Sequence, residues 1–299
     1  MSTPSTPLDR AIAQWRLSRV EVVSVGLGST VALAEWDGTP VVLKVSATGE
    51  ARRREAAALR AWNGQGAARL LAADDHGALL IEFVADARTV AEAATDDDAS
   101  TALIGRAIAA IQQHPGTSAP VGSTGLTPVS SALPDIASLS DVLRAAPRPQ
   151  FAHEGSLAGV PEAGALIDQA NETLARLTST TVNRVVLHGD LHHTNVLVTA
   201  DGEPVVIDPH GWIGDPCLEP ASLLANPRDL IAGEPDLLAL TLRRVEILCG
   251  LTGLDPARVL DWALVAGIVA EVWALEDHGM VHGAPLRLAA ALNRHRGDA

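Results

Sequence analysis

The fold is decided by residues 186–198, Val-Leu-His-Gly-Asp-Leu-His-His-Thr-Asn-Val-Leu-Val. An apolar run ending at Leu187 delivers a polar loop, and the chain leaves along a second apolar run, Val196-Leu197-Val198. Asp190 and Asn195 are five residues apart. That spacing lets a carboxylate reach an acceptor hydroxyl while an amide oxygen nearby reaches a divalent metal. Thirteen residues beyond Asn195, after a turn at Asp201-Gly202, the run Val205-Val206-Ile207 ends in Asp208. A hairpin there would fold Asp208 back beside the loop, so that Asn195 and Asp208 share one metal. Phosphoryl transfer asks for this set, because its catalysis is mostly positioning and charge neutralisation. His188, His192 and His193 sit in an irregular loop without a cysteine, which argues against zinc.

Working outward, residues 17–46 read as three strands, with a tight turn at Asp37-Gly38. Between the first two lies Gly26-Leu27-Gly28-Ser29-Thr30, a glycine-rich hairpin whose backbone N–H groups can approach phosphate. Lys44 ends the apolar strand Val41-Val42-Leu43-Lys44-Val45, and a helix follows from about Glu50 to Trp62. Glu55, eleven residues after Lys44, is the expected ion-pair partner, ahead of Glu50. The run Arg52-Arg53-Arg54 is expected on the solvated face of this helix. A hairpin over 70–84 completes the sheet, and Glu82-Phe83-Val84 is by position the hinge whose backbone meets adenine. The Asp190–Asn195 spacing is also that of the kinase loop H-R-D-L-x-x-x-N.

The composition fits a catalyst of this kind and excludes other classes. Hydrophobic residues make up 47% of 299, enough to bury a core. A net charge of −14 argues against a binder of the nucleic-acid backbone and favours a cationic ligand. Of 22 basic residues, 21 are arginine and one is lysine, Lys44. Coding bias accounts for the arginines but not for where the lysine survives. Two cysteines, Cys217 and Cys249, form no disulfide framework, and the N-terminus has no apolar signal segment, so a cytoplasmic protein is expected. The most apolar stretch, 259–275, is broken by Asp261 and Glu271 and reads as a buried helix rather than a membrane span.

After residue 84 the character becomes helical. Thr95 and the three aspartates at 96–98 read as a helix N-terminus leading into residues 102–113. Residues 114–134 read as loop, helices resume near 138–145 and 161–178, and three or four more follow Glu219. The expected fold is therefore α+β and bilobal, with a nucleotide-binding lobe at 1–84 and a catalytic, acceptor-binding lobe at 85–299.

The order of glycine-rich hairpin, strand lysine, helix glutamate, His-Gly-Asp-Leu-His-x-x-Asn and Ile-Asp-Pro-x-Gly resembles the aminoglycoside phosphotransferase family, which shares the protein-kinase-like fold. The details are most similar to its streptomycin 6-kinase and hydroxyurea phosphotransferase-like branch. Residues 187–197, 207–216, 55–62 and Trp273-Ala274-Leu275-Glu276-Asp277 carry the likeness. The resemblance implies Asp190 as catalytic base and Asn195 with Asp208 as Mg²⁺ ligands. It implies Lys44 and Glu55 as the phosphate-gripping pair, and Gly26, Gly28, Ser29, Thr30, Glu82 and Val84 around ATP or GTP. The acceptor is expected to be a small hydroxylated cation, with Asp215, Asp261, Glu271, Glu276 and Asp277 as candidate contacts. Glu219 stands where many family members carry aspartate, and is expected to anchor a helix or the loop. Alternatives are a kinase of a non-antibiotic amino sugar, a protein kinase and a non-catalytic nucleotide-binding module. Asp208-Pro209-His210 in place of Asp-Phe-Gly, with no Ala-Pro-Glu segment, counts against a protein kinase.

Overall fold

Short-range signals set the first elements of the computed structural model, which describes residues 6–26, 29–46, 49–113, 119–120 and 133–298. Thr6 caps helix α1 (Pro7–Trp15): its hydroxyl accepts from the Asp9 amide at 3.1 Å while the Asp9 carboxylate accepts from the Thr6 amide at 2.9 Å. Strands β1 (Ser18–Gly26), β2 (Ser29–Trp36) and β3 (Thr39–Ser46) follow, and helix α2 (Gly49–Trp62) leads to β4 (Leu70–Ala73) and β5 (Ala78–Glu82). Asp37 and Gly38 both take positive φ, 49° and 79°, the turn that suits the twist of a two-residue hairpin. The sheet is antiparallel, ordered β1-β2-β3-β5-β4.

Alternation along β3 decides where Lys44 goes. Val41, Leu43 and Val45 join Ala11, Leu17 and Leu80 in a small core under α1. Val42 and Lys44 therefore face the opposite way, toward α2 and the rest of the molecule. On that side Leu59, Trp62, Leu79 and Ile81 enter the main core, which continues through the helices.

Strand β6 (Arg88–Thr89) and helix α3 (Val90–Ala93) lead to α4 (Asp97–Gln112), whose N-cap Asp96 accepts from the Ala99 amide at 2.8 Å. Strand β7 (Ala119–Pro120) and helices α5 (Leu139–Ala145), α6 (Arg148–Leu157) and α7 (Ala163–Thr180) come next. Strands β8 (Asn183–Leu187), β9 (Val196–Val198), β10 (Pro204–Val206) and β11 (Trp212–Gly214) form two small sheets, ordered β10-β9-β6 and β11-β8-β7. Helices α8 (Ala221–Leu224), α9 (Arg228–Gly233), α10 (Leu237–Thr252), α11 (Pro256–His278) and α12 (Ala284–Asp298) complete the chain.

Helices α1, α3 and α6 have no counterpart in the sequence expectation, and five helical segments rather than three or four follow Glu219, two of them short. Most of the expected loop at 114–134 lies outside the described residues, though 119–120 pair with 183–184. The 259–275 stretch is the inner part of α11, and Trp262, Leu264, Val265 and Ile268 are fully buried there. No helix among the described residues is long and apolar enough to cross a membrane.

Arg244 of α10 is buried, with its Nε 3.0 Å from Asp97 of α4 and its Nη1 donating to the carbonyls of Leu223 and Asn226 at 2.9 and 2.8 Å. A buried cation persists only with such partners. It ties α4 and α10 to the end of α8 and the segment after it.

Candidate active site

The loop from His188 to Asn195 is held from below by two buried side chains. Glu219 accepts from the backbone amides of His188 and Gly189 at 2.8 and 3.1 Å. Burial pushes its pKa up to about 7 against the pull of those two donors and with the push of Asp190. His188 is fully buried, stacked on Trp62 of α2 at 6.3 Å between ring centres. Burial drives its pKa down to about 4, so the ring is neutral. Its Nδ1 accepts from the Asp190 amide at 3.3 Å, which leaves Nε2–H to donate to the Ile207 carbonyl at 2.8 Å. Gly189 takes φ +81°, and a β-carbon there would lie 2.5 Å from Trp212. The Glu219 expectation, an anchor for the loop, thus has a physical form.

Asp190 lines a cleft that reaches Asn195 and Asp208 and another on the side of Ser222. Its Oδ1 accepts from Ser222 at 3.3 Å, and its Oδ2 lies 3.5 Å from His192 Nε2 and 3.7 Å from His210 Nε2. Burial alone would raise its pKa. The His192 hydrogen bond and the fields of His192, His210 and His188 outweigh burial and hold the carboxyl below the usual range. Asp190 is ionised and can accept a proton.

Asn195 donates from Nδ2 to the Asp190 carbonyl at 2.8 Å, and its backbone carbonyl accepts from the Ile207 amide at 3.0 Å. Its amide oxygen stays free among the described residues. Asp208 leaves β10 in a left-handed conformation, φ +61°, which turns its carboxylate back over the loop. Lys44 Nζ lies 2.9 Å from Glu55 Oε1 and 2.7 Å from Asp208 Oδ1. Burial lowers the Lys44 pKa, and Asp208 opposes that shift. Burial would raise Asp208, but Lys44 and Arg52 hold it below the usual range. The lysine of the small sheet, the glutamate of α2 and the aspartate after β10 are thereby in one cluster.

Arg52 is the residue that the sequence expectation misplaced. Its side chain is only 12% exposed, and its guanidinium contacts Glu55, lies 3.8 Å from Asp208 and donates to Ser29 Oγ at 3.2 Å. The available signal was position: three residues before Glu55, it shares that residue's helix face. Arg53 is exposed as expected, whereas Arg54 pairs with Glu50 and stands 5.7 Å over the Trp212 ring.

A cavity of about 260 Å³ opens between the sheet and the loop, lined by Val42, Ala68, Val84, Leu197 and Ile207 with Lys44 and Asp208 at its end. Apolar walls and a charged end suit a base and its phosphates. Glu82 and Val84 both line it. The Glu82 amide is occupied by the Arg69 carbonyl at 2.9 Å and its carboxylate by the Arg69 amide at 3.1 Å. The amides of Phe83 and Val84 have no partner among the described residues. Gly26 pairs with Ser29, and Val25 with Thr30, at the end of β1 and β2 where the chain turns from one to the other. Gly28 lies outside the described residues.

A second cleft of about 320 Å³ is lined by Asp190 together with Trp212, Ser222, Arg228, Trp273, Asp277 and His282. Most of the acidic candidates for acceptor contact are not there. Asp215 is buried, capping the turn at 216–218 and paired with Arg258. Asp261 pairs with Arg176 and Arg296. Glu271 is buried and accepts from the amides of His282 and Leu286 at 2.5 and 3.3 Å. Glu276 is exposed and does not line the cleft. Each is claimed by solvent or by a distant segment that helix periodicity cannot reveal. Asp277 alone of the five reaches the cleft.

The chain is similar to known proteins in sequence and in fold. Residues 14–278 match the family described as aminoglycoside/hydroxyurea antibiotic resistance kinase. A streptomycin 6-kinase of Streptomyces glaucescens is 31% identical over 96% of this chain and 89% of its own length. A hydroxyurea phosphotransferase of Kitasatospora aureofaciens is 33% identical over 81% of this chain and 64% of its own. Among solved structures, aminoglycoside phosphotransferase APH(4)-Ia superposes with a TM-score of 0.63 at 18% identity, covering 96% of this chain and 97% of its own. A choline/ethanolamine kinase family protein of Mesorhizobium loti gives 0.61 at 15% identity, covering 97% and 94%. These likenesses place the two lobes and the loop between them in the bilobal protein-kinase-like fold. With nearly nine-tenths of its length inside one family description, the chain belongs to the aminoglycoside/hydroxyurea antibiotic resistance kinases.

Proposed function

We propose that this protein transfers the γ-phosphoryl group of ATP or GTP to a hydroxyl of an aminoglycoside-like acceptor such as streptomycin, inactivating it. One observation carries the reading: Lys44, Glu55 and Asp208 cluster at the end of the apolar slot, and a cleft lined by Glu55, Asp208, Asn195 and Asp190 runs from there to the second cleft. On this reading residues 1–84 hold the nucleotide and 85–299 supply the loop and acceptor cleft. Relatives named as streptomycin kinases support the acceptor class. Two unpaired cysteines and a need for ATP agree with work in the cytosol.

Each side chain has a task in this chemistry. Asp190 takes the acceptor hydroxyl proton as the new oxygen–phosphorus bond forms and the bond to the leaving diphosphate breaks. Ser222 and the two flanking imidazoles fix its carboxylate. Lys44, oriented by Glu55, meets the phosphate charge. Asn195 and Asp208 offer the free amide oxygen and a half-exposed carboxylate, hard donors that suit Mg²⁺ with phosphate oxygens completing its shell. Bound there, the ion would neutralise phosphate charge. In the acceptor cleft, Asp277 makes no ion pair among the described residues and stands near Trp273, a counter-ion and a flat surface for a cationic sugar.

A non-antibiotic amino sugar is favoured by one observation: the cleft is modest in size, and Asp277 is its one carboxylate besides Asp190 and the buried Glu219. A panel of streptomycin, other aminocyclitols, hydroxyurea and simple amino sugars, incubated with ATP and Mg²⁺ and read by mass spectrometry, separates the readings. Gain of one phosphate by streptomycin is the expected result. Gain only by amino sugars would move the assignment to metabolism. Nucleotide binding without transfer to anything would leave a non-catalytic module.

A further inference from the structure

The cluster at the end of the nucleotide slot contains one cation more than its expected chemistry needs. Two cations and two carboxylates alternate: Lys44 between Glu55 and Asp208, and Arg52 against Glu55 with Asp208 at 3.8 Å. Its formal charge is zero. Arg52 is held less completely than Lys44, because its Nε is buried with no hydrogen-bond partner among the described residues. A buried donor left unpaired costs free energy unless a ligand completes it. Its Nη2 reaches Ser29 at the turn end of the glycine-rich hairpin. Arg52 also lines a third cleft, about 450 Å³, together with Asp190, His192, Asn195 and Asp208, where the reacting phosphate would stand.

We propose that Arg52 is a second phosphate-binding cation, which releases part of its hold on Glu55 to grip the terminal phosphates and ties the hairpin to them through Ser29. A planar guanidinium can hold two phosphate oxygens in parallel while Lys44 acts as a point charge, so the two cations do different work. The assignment rests on the phosphotransferase reading and deepens it. It distinguishes Arg52 from its exposed neighbour Arg53, which has the same charge and no access to the site.

The test is calorimetric binding of a non-hydrolysable ATP analogue, ADP and adenosine, with and without Mg²⁺, to the unaltered protein, Arg52→Gln and Arg52→Lys. Arg52→Gln is expected to weaken the triphosphate about tenfold or more, the diphosphate less, and adenosine by under twofold, as follows from losing a charge-assisted contact. Arg52→Lys should recover part of the loss. Equal weakening of all three ligands would mean that Arg52 only supports the fold, and unchanged triphosphate affinity would also overturn the proposal. Should Arg52→Gln fail to fold, a crystal structure of the unaltered protein with the analogue decides. A guanidinium nitrogen within hydrogen-bond distance of phosphate supports the assignment, and one still confined to Glu55 and Ser29 refutes it. If the unaltered protein binds the analogue no better than adenosine, the phosphotransferase reading falls and this proposal with it. Discrimination that survives in Arg52→Gln removes Arg52 alone.

Discussion

Lys44 is the sole lysine among 22 basic residues, and its ammonium lies within 3 Å of both Glu55 and Asp208. A guanidinium cannot occupy that point without displacing one carboxylate. Lys44→Arg, conservative in charge, is therefore expected to lower kcat/KM by about a hundredfold or more while the protein still folds, as steady-state kinetics and thermal melts would read. The pairing of Lys44 with Glu55 was legible from the place of Glu55 just ahead of the apolar Ala56–Leu59 run of the next helix, whereas the strand Val41-Val42-Leu43-Lys44-Val45, apolar on both sides, did not tell which way Lys44 faces. Arg52 was not legible. Helix periodicity groups Arg52 with Glu55, yet sequence does not say which face meets the catalytic loop. The same gap explains Asp215, Asp261 and Glu271, whose partners Arg258, Arg176, Arg296 and the amides of His282 and Leu286 come from other segments or the next helix.

The catalytic loop as an element depends on what lies beneath it. Glu219 has a folded pKa of about 7 against an ordinary 4.5, so the native state binds the extra proton between those values. Its contribution is complete below pH 4.5 and is lost as pH rises through 7, by no more than about 3 kcal/mol. His188 has the opposite sign: its folded value of about 4 lies below 6.5, so its contribution is complete above pH 6.5 and is lost as pH falls toward 4. The two oppose one another between pH 4.5 and 6.5. Glu219→Gln removes one of them, and urea unfolding from pH 5 to 8 should show a steeper rise to pH 6.5 and no decline toward 7. Parallel profiles for the two proteins would contradict the assignment. Gly211 sets a second limit on this region, since its φ is +73° and a β-carbon would sit 2.7 Å from the Arg54 carbonyl. Gly211→Ala is expected to cost about 1–3 kcal/mol and to lower the melting temperature. The strand–loop–hairpin order of this region was readable from its apolar runs and turn residues. The support from Glu219 was readable only as an anchor without a named partner.

At the scale of the whole molecule, the bilobal α+β plan followed from a mainly strand-forming stretch before residue 84 and a mainly helical one after it that carries the strand–loop insert at 185–208. Helix α6 escaped notice because its apolar residues trace no clear face, and the acceptor side escaped because several segments build it jointly. Arg244 of α10 joins α4 to the end of α8 and the segment after it, so Arg244→Ala should destabilise the protein by roughly 3–5 kcal/mol through the unpaired Asp97 and two orphaned carbonyls, measurable by chemical unfolding. Asp277→Asn should raise KM for a cationic acceptor several-fold with little change in kcat, since its carboxylate faces the cleft and stands apart from the reacting centre. The central claim is that Asp190 takes the acceptor's proton at a site whose nucleotide half is assembled by other residues. Its most direct test is Asp190→Asn, assayed for phosphate transfer to the acceptor found in the panel and, on the same preparation, for binding of an ATP analogue. Transfer reduced by about 10²–10⁴-fold, with nucleotide affinity within twofold of the unaltered protein, is the expected result. Near-normal transfer by that variant would contradict it.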